Sequence, residues 1–205
     1  EKLQEAGAKL MSISGVDEDL RGILEQIATN AQDVLGAELV DLYEYNESRD
    51  DYRLPPVQVG RRNAKTVRKD EVHKDDVIWT IVESKKTIYE PDAQKTDFLI
   101  APFQRQDQYK PKVRFVFREE IKSTAAAPLI VAGEVLGVLF ANYRRSQTFS
   151  EQQKKLVDMF ATQAANVIYN ARRVRTLRVL ENFGRSLTTS IGTSETEILS
   201  LIRDR

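Results

Sequence analysis

The chain has 205 residues, 41% of them hydrophobic and 30% charged, which allows one sizeable domain with attached segments or two small ones. Its 31 basic and 31 acidic residues cancel, so no overall field draws it to nucleic acid or to an anionic membrane. Cysteine is absent, which excludes disulfides, thiolate metal sites, thiol redox chemistry and a thioether-bound chromophore, and is compatible with a reducing, cytoplasmic setting. The most apolar short run, residues 125–132, contains Pro128 and falls far short of the about 20 residues that cross a bilayer, so no membrane span is expected here.

Residues 1–15 read as the end of a preceding connecting helix, with Leu3, Leu10 and Met11 as its apolar points and a break at Ser14-Gly15. Asp17 is then an N-cap, with Glu18 and Asp19 in the first turn, where the helix dipole favours negative charge. Leu20, Ile23, Leu24, Ile27, Ala28, Ala31, Val34 and Leu35 recur at helical spacing, and Gly36 closes the helix. Residues 37–45 read as a strand. A second, weaker strand lies within 52–60, and Pro55-Pro56 must lead into it or interrupt it. Residues 61–76 carry charge and almost no apolar anchor, so they read as a loop. A short helix over 77–84 and a short strand over 87–90 follow, ended by Pro91-Asp92.

Residues 93–119 read as irregular, with Phe98, Phe103, Tyr109, Phe115 and Phe117 among many charges. Residues 121–131 and 134–143 form the clearest hairpin, turning at Ala132-Gly133. Small residues at 125–127 imply close packing over that strand, and Pro128 implies an amide edge outside the ladder or at a bulge. Gly137 implies close approach of a neighbouring backbone or a ligand. A helix then starts at Ser150 as N-cap and continues to about Leu180. This order describes an α+β fold, an antiparallel sheet with helices segregated by face.

An internal repeat bears on domain organisation. A shift of 177 residues aligns Leu3 with Leu180, Gly7 with Gly184, Leu10 with Leu187, Gly15 with Gly192 and Glu18 with Glu195. The expected layout is a module over residues 16–172, a coiled-coil linker helix over 173–183, and the truncated start of a second module over 184–205. That last segment cannot build a core alone, so it is expected as a helix extension or a poorly ordered piece.

The run STAAAPLIVAGEVLGV at 123–138 is similar to the "x-S-x-x-A-x-P-L-x-x-x-G-x-x-x-G-V-L" run of the GAF domain family. The helix at 20–35 corresponds to that family's opening helix, and IWTIVESKKTIYE at 78–90 resembles its helix-then-strand segment. Phe149-Ser150-Glu151 starts an exit helix at the family spacing, and the residues around Gln163 to Arg172 resemble its end. The resemblance covers about residues 16–175. It implies a PAS-related antiparallel sheet with helices on one face, short helices and loops over the other, and a long C-terminal linker helix. It also implies a regulatory sensor of a bacterial-type signalling protein, whose effector (a kinase, cyclase or phosphatase) lies outside these residues.

Several ligand classes of the family are argued out. Bilin-binding members and free methionine sulfoxide reductases need cysteines, so no covalent bilin is expected and the enzyme reading fails. Haem needs an axial ligand, and His73, the one histidine, sits among charges in a loop-like context, so haem is not expected either. The cyclic-nucleotide signature runs Asn-Lys, then Phe, then Asp-Glu; here Tyr143 follows Asn142, and Ser150-Glu151-Gln152 follows Phe149. No catalytic constellation and no metal site is read from the sequence, and no cofactor is expected. The candidate lining residues of an unknown small-molecule pocket are Trp79, Tyr89, Phe98, Phe103, Phe115, Arg118, Thr124 and Tyr143, with Arg114 and Arg118 as partners for an anionic ligand. The competing reading is that these aromatics fill a closed core.

The exit helix carries two apolar stripes, one for the sheet and one for a partner. Phe160, Val167, Val174, Leu177 and Leu180 are the expected dimer and signalling positions, flanked by Arg172, Arg173, Arg175 and Arg178. The expectation is a homodimer through helices, either relaying the state of a sensor or serving as a structural spacer without a ligand.

Overall fold

The computed structural model describes residues 20–46, 50–60, 77–95 and 115–203, with side chains described as far as Leu177 and at Leu180. The chain divides into two compact units, Glu1–Tyr169 and Asn170–Arg205. The expectations for residues 1–19, for the loop at 61–76 with His73, and for Phe98, Phe103 and Arg114 lie outside the described residues.

The first described element, α1 (Leu20–Leu35), buries Leu24, Ile27, Ala28, Ala31 and Leu35, a stripe at the three- and four-residue spacing of one helix face. Gly36 ends it at φ 62°, and the Ala37 amide donates back to the Gln32 carbonyl at 3.1 Å. Arg145 secures this end. It donates to the Gly36 carbonyl and to Glu38, both at 2.8 Å, placing a cation at the negative end of the helix dipole.

Five strands follow in a single antiparallel sheet: β1 (Leu39–Asn46), β2 (Asp51–Gly60), β3 (Ile88–Glu90), β4 (Ser123–Val131) and β5 (Glu134–Tyr143). Their order across the sheet is β2-β1-β5-β4-β3. Between β2 and β3 lies α2 (Val77–Ser84), and one helical turn, α3 (Phe115–Arg118), precedes β4. That turn falls in the 93–119 stretch expected to be irregular.

Pro55 and Pro56 do not lead into β2 but interrupt its pairing with β1, the second of the two expected alternatives. The pairing steps from Leu42↔Val57 to Glu44↔Arg53, so the prolines sit in a bulge that takes two extra residues. An even slip preserves the in–out alternation, which keeps Val57 and Tyr52 on the faces their pairing partners occupy. Arg21 of α1 donates to both bulge carbonyls, Pro55 at 3.0 Å and Pro56 at 3.2 Å. The pairing of β3 with β4 runs from Thr124 to Ala126, so Pro128 lies beyond it.

A one-residue slip between Leu129 and Ile130 shapes the hairpin. It lets Leu136 join Leu139 and Ala141 in one core while Val135 joins Val138 and Phe140 in the other. The turn uses Ala132 at φ 52° and Gly133 at φ 84°, the two positive values of a two-residue hairpin turn. An L residue with a Cβ is disfavoured there, by about 1–2 kcal/mol. Replacing Ala132 with glycine is therefore expected to raise stability by about 0.5–1 kcal/mol, read as a higher urea midpoint at unchanged m-value.

The main core lies between one sheet face and two helices. Val40, Leu42, Ala125, Ala127, Leu129, Leu139, Ala141 and Tyr143 meet α1 and the part of α4 (Glu151–Arg203) up to Tyr169. Ser150 caps α4: its hydroxyl accepts from the Gln153 amide at 3.3 Å, and Gln153 Oε1 accepts from the Ser150 amide at 3.0 Å, a reciprocal capping box. The helix runs unbroken through Gly184 and Gly192 to Arg203, past the Leu180 end expected from the sequence. Among the described residues, no helix is long and apolar enough to cross a membrane.

Candidate ligand-binding face

The sheet face opposite α1 and α4 is built differently. Toward the hairpin end it is apolar: α2 lays Ile78, Trp79, Ile81 and Val82 over Tyr45, Tyr52, Ala126, Val135, Val138 and Phe140. Trp79 meets Tyr45 and Tyr52 edge-on, with ring centroids 5.6 and 5.0 Å apart. Toward the other end a smaller apolar cluster joins Leu39, Ala93, Val116 and Ile121, with Phe115 against it.

Between the two clusters runs a row of polar side chains. Cross-strand register places Asp41 opposite Gln58, and Asn142 opposite Thr124. Alternation then sets all four on the same face. Gln58 Nε2 donates to Asp41 Oδ1 at 3.0 Å, and Asn142 Nδ2 donates to Asp41 Oδ2 at 3.1 Å. Thr124 Oγ1 donates to Asn142 Oδ1 at 2.8 Å. Asp41 is 2% exposed, Thr124 2% and Asn142 3%. The row spans β2, β1, β5 and β4, and Glu90 of β3 stands opposite Thr124 at its end.

Burying a carboxylate in the middle of a sheet face costs several kcal/mol before its hydrogen bonds are counted, and an apolar row of similar volume would stabilise the fold at least as well. The two amides offset that cost as charge-assisted donors, about 1.5–3 kcal/mol each. The row is therefore poorly explained as packing. It can orient a polar group laid against it, because each of its members is held by a neighbour on another strand.

A second charged group borders the smaller apolar cluster. Glu119, fully buried, has Arg118 Nε at 3.4 Å and Arg144 Nη2 at 3.5 Å, while Arg144 Nε donates to the Glu119 carbonyl at 2.9 Å. The Arg118 guanidinium also lies 5.8 Å from the Phe115 ring centre.

Of the residues singled out from the sequence, Trp79, Phe115, Arg118 and Thr124 belong to this face or its border. Tyr89 and Tyr143 lie on the other face, among the helices. Tyr89 packs against Phe149 and donates to the Lys154 carbonyl at 3.4 Å; burial, then the Asp158 carboxylate, pushes its hydroxyl up to about 12. Tyr143 is fully buried beside Phe149, and burial raises its hydroxyl as well, opposed by a hydrogen bond from Gln147. Phe160 sits in the main core at 1% exposure, whereas Leu177 and Leu180 are 63% and 61% exposed. Sequence reasoning did not single out Asp41 or Gln58. The signal for the first was Asp41 itself, a charge inside the run LVDLYEY and in phase with Tyr43 and Tyr45.

Comparison with known proteins agrees with this architecture. The GAF domain profile matches residues 19–168. The chain is similar in structure to the GAF domain from a phosphoenolpyruvate-protein phosphotransferase of Coxiella burnetii, with 20% identity, a TM-score of 0.63, and 85% of this chain and 95% of that one covered. Residues 122 to 287 of a methyl-accepting chemotaxis protein match at 21% identity and a TM-score of 0.57, covering 82% and 98%. A free methionine-R-sulfoxide reductase from Neisseria meningitidis matches at 16% identity and a TM-score of 0.58, covering 83% and 90%. No curated protein matches the chain in sequence. The order of elements, the five-stranded antiparallel sheet with its helix-covered face, and the profile match over most of the chain's length establish that this chain belongs to the GAF domain family.

Proposed function

We propose that this is a non-catalytic sensory module that takes a small molecule on the sheet face carrying Asp41, Gln58, Thr124 and Asn142. The observation that carries the reading is the hydrogen-bonded polar row, buried between two apolar clusters where packing alone favours apolar side chains. The chemotaxis protein among its structural relatives supports a sensory role. The reductase on the same fold does not transfer its activity, because this chain has no cysteine to supply thiol chemistry. A cysteine-free chain also fits a reducing, cytoplasmic setting.

The output runs through the terminal helices. Leu177 and Leu180, each more than half exposed and on one helix, support a pairing of α4 with a second copy. The 177-residue repeat supports a tandem arrangement in which residues 184–205 open another module. A spacer that dimerises without a ligand is the second reading, and the same leucines favour it.

A thermal-shift screen of nucleotides and metabolites separates the two. The sensor reading expects at least one compound to raise Tm by about 3 °C or more at saturating concentration. A blank result across broad libraries would leave the spacer.

A further inference from the structure

Leu177 and Leu180, exposed on α4, belong to a longer pattern. From 173 to 198, the positions 173, 177, 180, 184, 187, 191, 194 and 198 follow one another in alternating steps of four and three. That is the spacing of a coiled-coil seam, and the helix is continuous through it. Five of these positions carry Leu or Ile; the exceptions are Arg173, Gly184 and Ser194. The acids of α4 beyond position 170 are Glu181, Glu195 and Glu197.

The three exceptions decide between the two directions in which a second copy could lie. A parallel, in-register partner sets every layer against itself. Arg173 then meets Arg173 within the seam, where like charges repel. Gly184 meets Gly184, a layer without side chains, and Ser194 meets Ser194.

Turning the partner end for end changes each of these layers. With the centre of the pair between Arg185 and Ser186, Gly184 comes opposite Leu187 and Ser194 opposite Leu177, so each small residue faces a large one. Leu180 comes opposite Ile191. Arg173 stands at the level of Ile198, next in sequence to Glu197 and one helical turn from Glu195, so its charge meets acids of the opposite sign. Sliding the pair by one heptad keeps the stripes together but carries Arg173 to the level of position 191 or 205, away from both acids. Side-chain size and charge therefore select the same register.

We propose that α4 pairs with a second copy of itself in antiparallel fashion, centred between Arg185 and Ser186. The inference rests on the α4 pairing proposed above and adds its direction and register.

The test uses the whole chain, which has no cysteine, so one introduced cysteine takes a spin label at a single site. Arg175→Cys and Thr196→Cys put the label off the seam. In the antiparallel pair two labels at 175 are separated along the axis by about 31 Å, from a rise of about 1.5 Å per residue. Dipolar electron paramagnetic resonance at about 100 µM should then read about 40 Å for either variant alone, the width of the helix pair included. Mixing the two labelled variants should add a distance of about 25–30 Å, because 175 and 196 lie at one level across the pair. A distance of about 25–30 Å for each variant alone would mean parallel pairing and overturn the inference, leaving the pairing of α4 intact. A chain that light scattering shows to be monomeric at the same concentration would remove the pairing as well, and leave the seam to a different protein.

Discussion

Replacing Phe160 with alanine is expected to lower the unfolding free energy by about 3–5 kcal/mol, the usual cost of deleting a buried aromatic ring. Phe160 is 1% exposed and packs in the core between α4 and the sheet, with Val157, Ala161 and Ala164 on the same helix. The sheet side of the same core includes the alanines Ala125, Ala127 and Ala141, whose short side chains cannot refill the space the ring would leave. The cavity stays open, so both the transfer loss and the cavity cost apply. Urea titration followed by far-ultraviolet circular dichroism reads the change. A loss below about 1 kcal/mol would mean that the ring is not held in this core. The effect should also be independent of protein concentration, since Phe160 faces its own domain; a strong concentration dependence would place it in a subunit interface instead.

Gly137→Ala is the second severe substitution, with an expected cost of about 3 kcal/mol or more, at the upper end of overpacking effects. Here the neighbouring backbone of β1 fills the space that a side chain would need. A Cβ at this position would lie inside contact distance of the Tyr43 carbonyl oxygen, with Leu129 Cδ1 only 3.0 Å away. A leucine methyl can swing aside, but a ladder carbonyl cannot move without disturbing the pairing of β1 with β5, where Gly137 stands opposite Glu44. The variant should therefore express poorly or melt far below the parent. A melting temperature within about 2 °C of the parent would show that the two strands are not so closely apposed.

Much of the fold was legible because its elements are local. The apolar spacing of α1, the four buried apolar residues of α2 and the Ala132-Gly133 turn each specify their own structure. The close approach expected at Gly137 is also present, and the approaching group is backbone. What stayed hidden depends on register. Asp41 and Asn142 are 101 residues apart and meet only because β1 lies beside β5. Tyr89 and Tyr143 were attractive as pocket aromatics, yet their pairing partners, Ala125 and Ser123, fix them on the helix side of the sheet. Helical continuity through Gly184 and Gly192 was one of the two alternatives expected for residues 184–205, and it is tolerated because glycine in a helix interior costs only about 1 kcal/mol against alanine and does not force a break.

Side-chain amide resonances report directly which face of the sheet a ligand touches. Gln58 and Asn142 carry amides on the polar row, whereas the Gln163 amide belongs to α4 on the helix-covered side. Titration of the 15N-labelled chain with whichever compound raises its Tm should shift the NH2 signals of Gln58 and Asn142 saturably and leave that of Gln163 in place. Movement of the Gln163 signal with Gln58 and Asn142 unchanged would contradict the assignment of the ligand to this face.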